Sequence, residues 1–140
     1  MQVDPRAMRF TAAVTTAVLA VVLVTGSGWL LVAQAAVFAI AVVFGMRASP
    51  YGFLFRKFLR PRLTPPSEME AEAPPRFAQG VGLLFAVAGI LGYFTEITSL
   101  AVVATSVALL AAFLNAAFGF CLGCETYLII RRFLPAGKTA

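Results

Sequence analysis

Val22-Leu23-Val24-Thr25-Gly26-Ser27-Gly28-Trp29-Leu30-Leu31-Val32 decides the fold. Two glycines around one serine, with no charge, join an apolar run to another apolar run. Gly and Ser at this spacing predict a tight reversal between two helices rather than one long helix. Upstream, residues 10–24 are rich in Ala, Val and Leu, and Thr11, Thr15 and Thr16 can bond back to carbonyls of their own helix. Downstream, the second run extends to about residue 46 and contains a single strongly polar residue, Gln34. In lipid such a residue is expected to serve as an interhelical hydrogen-bond partner. Trp29 opens this run, where an amphipathic ring suits a membrane interface.

The same pattern returns in the second half. Residues 77–94 form an apolar run with Gly80, Gly82, Gly89 and Gly92, small residues that allow close backbone approach. Thr95-Glu96-Ile97-Thr98-Ser99 is the second short turn, with Ser99 the expected cap of a fourth helix over about 100–118. An apolar run needs about 20 residues to cross a bilayer. Apolar residues make up 61% of the 140-residue chain and mean hydropathy is +0.91, against roughly 45–50% in ordinary globular chains. These values exclude an ordinary soluble domain and predict an all-α integral membrane protein with four transmembrane helices, arranged as two tandem hairpins.

Charge patterning orients the helices. The chain has 11 Lys and Arg, and none lies in either short turn. They cluster at the N-terminus, in the middle of the chain and at the C-terminus. By the positive-inside rule both termini and the middle loop face the cytoplasm. That rule also accounts for the basic pI near 9.9, so no nucleic-acid partner is expected; the bilayer is the expected one. Asp4 in the N-terminal stretch, and a run leading straight into a second one, read as a retained helix rather than a cleaved signal.

Each hairpin is followed by a cytoplasmic interfacial amphipathic segment. In residues 51–60, Leu54, Phe55, Phe58 and Leu59 are expected on an apolar face, with Arg56, Lys57 and Arg60 toward lipid headgroups. Arg131 and Arg132 play the same part in the last segment. The Pro- and Glu-rich stretch 62–75 reads as a polar, mobile linker. The shared order of Arg9-Phe10 and Arg76-Phe77, Phe44-Gly45 and Phe118-Gly119, and Arg56-Lys57-Phe58-Leu59 and Arg131-Arg132-Phe133-Leu134 suggests duplication. A single membrane domain would then hold units at about 9–61 and 76–135, related by a pseudo-two-fold along the membrane normal.

Chemistry points to one place: Phe118-Gly119-Phe120-Cys121-Leu122-Gly123-Cys124-Glu125-Thr126-Tyr127, with the only two cysteines. The run from 100 to 130 is too long for one crossing, so a bend near Gly119 to Gly123 is expected. It puts Cys121 and Cys124 at the inner interface, at the start of the last helix. A helix N-terminus stabilises a thiolate, and C-x-x-C spacing suits dithiol–disulfide exchange. In the repeat, Arg47 occupies the matching break and would add positive charge; Glu125 would relay a proton. Asn115 is assigned a structural role only, since it does not share a helical face with Cys121.

Competing readings of the pair are packing, because cysteine behaves as a small buried apolar residue, and metal binding. The chain has no His, so no metal site is assigned within a monomer; a dimer could bring four thiolates together. A pair facing the reducing cytoplasm is expected to be reduced rather than locked in a permanent disulfide.

These residues also carry a resemblance. Asp4-Pro5-Arg6, Leu59-Arg60-Pro61-Arg62, Pro65-Pro66, Pro75-Arg76-Phe77-Ala78 and above all the Phe-Gly-Phe-Cys-Leu-Gly-Cys run are similar to a bacterial membrane family catalogued as domain of unknown function 4395. The resemblance covers nearly the whole chain. It implies a small four-helix protein of the bacterial inner membrane whose gene lies near those of thioredoxin-like or rhodanese-like sulfur-handling proteins. Residues and resemblance together lead to the expectation of a membrane thiol-redox or sulfur-relay protein in which Cys121 and Cys124 exchange disulfide or persulfide with such a partner. Cys121 is taken as the attacking thiol. No cofactor is evident; a quinone acceptor would be compatible but has no motif. The alternative is a non-catalytic scaffold or small-solute transporter acting as a homo-oligomer, although Gln34, Gln79 and Asn115 form a thin polar inventory for a pathway.

Overall fold

The computed structural model describes residues 2–3, 5–45, 48–59, 70–71, 73–119 and 121–133. Its helices are α1 (Pro5–Thr25), α2 (Gly28–Phe44), α3 (Pro50–Leu54), α4 (Ala73–Phe94), α5 (Thr98–Phe118) and α6 (Leu122–Phe133). A π-helical turn, Phe55–Leu59, continues α3. Two-residue strands β1 (Gln2–Val3) and β2 (Glu70–Ala71) pair antiparallel. This pairing ties part of the expected mobile linker to the N-terminus.

The first turn forms as its residues dictate. Gly26 adopts φ +67°, and its N–H donates to Val22 O at 2.7 Å to close α1. Ser27 then caps α2, its side chain accepting from the Leu30 N–H at 3.2 Å. The second turn differs from expectation. Glu96 takes the left-handed conformation at φ +63°, and Ile97 N–H donates to Gly92 O at 2.8 Å. The chain has therefore reversed before Ser99. α5 begins at Thr98, with Ile97 at the cap and no side-chain capping bond. α4 starts at Ala73, earlier than expected, because Pro74 and Pro75 fit a first helical turn, where their missing N–H groups would have had no partner.

α1, α4 and α5 have the length and apolar character to cross a membrane, whereas α2 is apolar but shorter, at 17 residues. Their side chains confirm a membrane protein. Val24, Phe44, Leu84, Val103, Leu110 and Phe118 are exposed on the helix surfaces, an apolar area that water would not tolerate but lipid covers. Inside, Leu19 and Val22 of α1, Leu31 and Phe38 of α2, Ala86 of α4 and Ala108 of α5 form one core.

α1 packs on α5, and α4 lies against α2, α5 and α6. The α4 glycines set these contacts. A Cβ on Gly82 would meet the Phe38 ring at 2.9 Å, one on Gly89 would meet Leu31 at 2.8 Å, and one on Gly92 would overlap the Ala101 backbone. The expected close approach at small residues is thus realised.

Both turns lie at one end of the bundle, where Trp29 is 75% exposed and meets the Phe94 ring edge-on at 5.2 Å. At the other end two arginines close helices far away in sequence. Arg9 donates from Nη2 to Ala116 O at 3.1 Å and Ala117 O at 3.2 Å, the last turn of α5. Arg76 donates from Nε to Val42 O at 2.8 Å and from Nη2 to Val43 O at 3.1 Å, the last turn of α2. A cation there satisfies orphan carbonyls and complements the negative end of the helix dipole.

The amphipathic segment after α2 differs from its expected face. Phe55 is 2% exposed, with its ring 5.8 Å from that of Phe10 on α1, while Phe53, Leu54 and Phe58 are exposed. The wider π turn changes the register, so Phe55 turns inward away from Leu54 and Phe58. Lys57 Nζ sits 5.8 Å from the Phe53 ring and 5.6 Å from the Phe58 ring, so cation and aromatics share the outer surface. Gln34 meets its expected role: Tyr51 Oη donates to its Oε1 at 2.5 Å. This bond ties α2 to α3.

Candidate functional site

The bend that carries the cysteines is built by glycine. Gly119 takes φ +69°, a left-handed conformation favoured only at glycine, and its N–H donates to Asn115 O at 2.9 Å to close α5. The chain then turns into α6, as expected. Cys121 immediately precedes this helix and caps it: its Sγ accepts from the Cys124 N–H at 3.1 Å, and its carbonyl accepts from the Glu125 N–H at 3.0 Å. The two sulfurs are joined in a disulfide across a Cα–Cα distance of 5.1 Å. The reduced pair expected from sequence is therefore replaced here by its oxidised form, which the C-x-x-C turn holds without unwinding α6.

Gly123, between the cysteines, explains why this motif reads Cys-Leu-Gly-Cys. Its Cα faces α4, and an added Cβ would lie 2.5 Å from Ala78 Cβ and 2.6 Å from Ala78 Cα. Further along α6, Tyr127 places its ring 5.5 Å from Phe77, and Arg131 lies 5.8 Å from the Tyr127 ring. Arg132 and Phe133 are exposed at the end of α6. The helix is amphipathic and has no fully buried residue, in keeping with a segment that lies on, rather than through, the membrane.

Beside the disulfide is a cavity of about 210 Å³ between α1, α2, α4, α5 and α6. Cys121, Leu122, Gly123 and Thr126 form its α6 wall, and Gln79 and Asn115 its polar points. Asn115 thus shares a space with Cys121. Helical spacing does not relate the two residues, because α5 ends at Phe118 and the chain turns before reaching the cysteine. Gln79 Oε1 is buried and has no hydrogen-bond partner among the described residues.

Of the other expected site residues, Glu125 is exposed on the first turn of α6, where a carboxylate complements the helix dipole. Arg56 is half-buried in the π turn. Arg47 and Arg60 lie outside the described residues. The cation seen near the bend is Arg9, whose Cδ and Nε lie 3.9 Å from the position of a Cβ on Gly119. Sequence reasoning noted Arg9 only as a repeat marker, since nothing local links it to a residue more than 100 positions away. Among the described residues no three of His, Cys, Asp and Glu gather to hold a metal ion.

The family model described as "Domain of unknown function (DUF4395)" matches residues 3–132. The chain belongs to that family. The match runs from β1 to the end of α6, so the cysteine bend, both hairpins and the arginine-closed helix ends all fall inside the family domain. No curated protein and no solved structure matches the chain.

Proposed function

We propose that this protein is a membrane dithiol–disulfide exchanger whose reactive pair is Cys121–Cys124. One observation carries the reading: the Cys121 sulfur is both half of the disulfide and the cap of α6. The N–H that caps the disulfide sulfur would also stabilise a Cys121 thiolate after reduction. A sulfur serving only to fill space needs neither partner.

The exchange runs as follows. A thiolate of a thioredoxin-like partner attacks Cys121 Sγ, the Cys121–Cys124 bond breaks, and Cys124 leaves as a thiolate and takes up a proton. The partner's second thiol attacks the mixed disulfide and releases Cys121 as the capped thiolate. Two electrons and one proton pass from partner to pair, and the partner leaves as a disulfide. Cytosolic disulfides are as a rule transient and catalytic or redox-sensing, so a pair close enough to bond and placed on the cytoplasmic side by this reading fits the cycle.

The membrane arrangement belongs to the same proposal. α2 is 17 residues long, the lower end of the roughly 17–25 that span a bilayer. With it the chain crosses four times, leaving both termini and α6 on the cytoplasmic side of the cell membrane. The two hairpins are copies of one unit. Arg9 on the end of α5 and Arg76 on the end of α2 support this, as do Phe10 against Phe55 and Phe77 against Tyr127.

The test is exchange with a reduced thioredoxin, using full-length protein in lipid nanodiscs. Thiol counting should show two thiols appearing on the membrane protein for each thioredoxin oxidised. Absence of exchange over hours, with the disulfide accessible to a small phosphine, would sink the reading.

A further inference from the structure

We propose that the cavity beside Cys121 binds the ring of a membrane-soluble quinone, which accepts the electrons of the reduced pair. The inference rests on the dithiol-exchange reading and adds the acceptor that it lacks.

Size comes first. An apolar protein cavity of about 150 Å³ binds benzene, so about 210 Å³ accommodates a substituted single ring. Its wall is made chiefly of Ala, Val, Gly and Phe side chains from five helices, including Phe38, Phe85 and Ala111. Such a lining favours a flat apolar molecule over a hydrated thiol or anion.

Access comes second. Val107 of α5 and Leu122 of α6 belong to the wall, and both are also exposed apolar side chains. The cavity therefore communicates with the lipid-facing surface, and its occupant would arrive from the membrane.

Polarity comes third. Gln79 Oε1 is a buried acceptor with no partner among the described residues. Leaving such a group unsatisfied is unfavourable. A rotation of the Gln79 side chain, which belongs to the wall, would bring this oxygen to a hydroquinone hydroxyl, and the Asn115 carboxamide on the same wall supplies N–H groups for a quinone carbonyl. One ligand in its two oxidation states uses both kinds of group.

Position comes last. Cys121 lines the cavity and caps α6. The step balances: the Cys121 thiolate and the Cys124 thiol lose two electrons and one proton, the S–S bond forms, a second proton comes from water, and the quinone becomes a hydroquinone.

The experiment has two arms, both on full-length protein in nanodiscs of quinone-free phospholipid. The probe is duroquinone, whose ring is fully substituted and so does not add thiols. In the binding arm, the Cys121→Ser/Cys124→Ser protein is melted with and without the probe. A saturable rise in Tm is expected, and it should be abolished by Ala111→Phe, which fills the cavity, and weakened several-fold in apparent Kd by Gln79→Leu. No rise, or a rise unchanged in both variants, overturns the site; displacement by phospholipid tails alone does the same.

In the electron-transfer arm, pre-reduced wild-type protein should convert one duroquinone per two thiols lost, and Gln79→Leu should slow this at least about tenfold at subsaturating probe. If thioredoxin exchange fails in every protein while the binding arm succeeds, the exchange reading falls and the quinone site stands. If exchange succeeds and no quinone binds, only the site falls.

Discussion

Gly123 lies flush against Ala78, so closely that a methyl group on its Cα would stand 2.5 Å from the Ala78 Cβ. This contact presses the first turn of α6, and with it the disulfide, onto α4. The neighbour is backbone and Cβ rather than the end of a flexible side chain, so it cannot give way by changing rotamer.

Gly123→Ala is therefore expected to push α6 away from α4. Overpacking of this kind costs about 1–3 kcal/mol, seen as a lower Tm in detergent. The disulfide should also become more accessible, so that reduction by dithiothreitol is faster than in the wild type. Unchanged Tm and reduction rate would show that α6 is not seated on α4.

Arg76→Met should destabilise the protein more than Arg9→Met. Methionine keeps the alkyl stem but leaves the helix-end carbonyls without a donor. Hydrogen bonds to charged groups are worth about 1.5–3 kcal/mol. The bond to Val42 is partly buried, whereas both bonds made by Arg9 are exposed and compete with water. Thermal unfolding of the two variants side by side measures the difference, and equal losses would contradict the assignment.

Tyr51→Phe should remove a donor and leave Gln34, which is almost fully buried, without its Oε1 bond. The cost is about 1–3 kcal/mol. Burial raises the Tyr51 pKa above 10.0. Below pH 10 the folded and unfolded chains both hold the phenol proton, and its contribution is fully present. Above that value the unfolded chain loses the proton first, so stability falls as pH rises through the folded pKa. The variant should lack this component in a stability profile measured from pH 8 upward.

Cys124→Ser should trap a thioredoxin-like partner, and Cys121→Ser should not. With Cys124 absent, Cys121 forms the mixed disulfide and nothing on the membrane protein resolves it. With Cys121 absent, α6 loses the sulfur that caps it. Non-reducing electrophoresis reads the adduct, using a thioredoxin that lacks its resolving cysteine and carries 2-nitro-5-thiobenzoate in a mixed disulfide on the other, which leaves as the Cys121 thiolate attacks. Equal trapping by both variants would reverse or erase the assigned roles.

Much of the architecture was legible because its signals are local. The Thr25–Gly28 turn, the break at Gly119 and the start of a helix at the cysteines follow from glycine conformation, capping and apolar run length. The role of Gln34 followed from the rarity of amides in lipid, although its partner Tyr51 did not. Errors arose where neighbours decided. Ser99 lost its capping role because Glu96 reversed the chain early, and Phe55 left its expected face because a π turn changed the register.

The sequence by itself determined that this is a helical membrane protein with a short turn free of Lys and Arg in each half and a single C-x-x-C at a helix start. Hydropathy, charge and glycine placement act over a few residues and can be read in order. Only the tertiary structure decided that Gly123 meets Ala78, that Arg9 and Arg76 close α5 and α2, and that Gln79 and Asn115 share a cavity with Cys121. Those pairings depend on which helix faces lie together. In lipid, apolar faces are interchangeable to the solvent, so close packing between small residues and a few polar bonds select the partners.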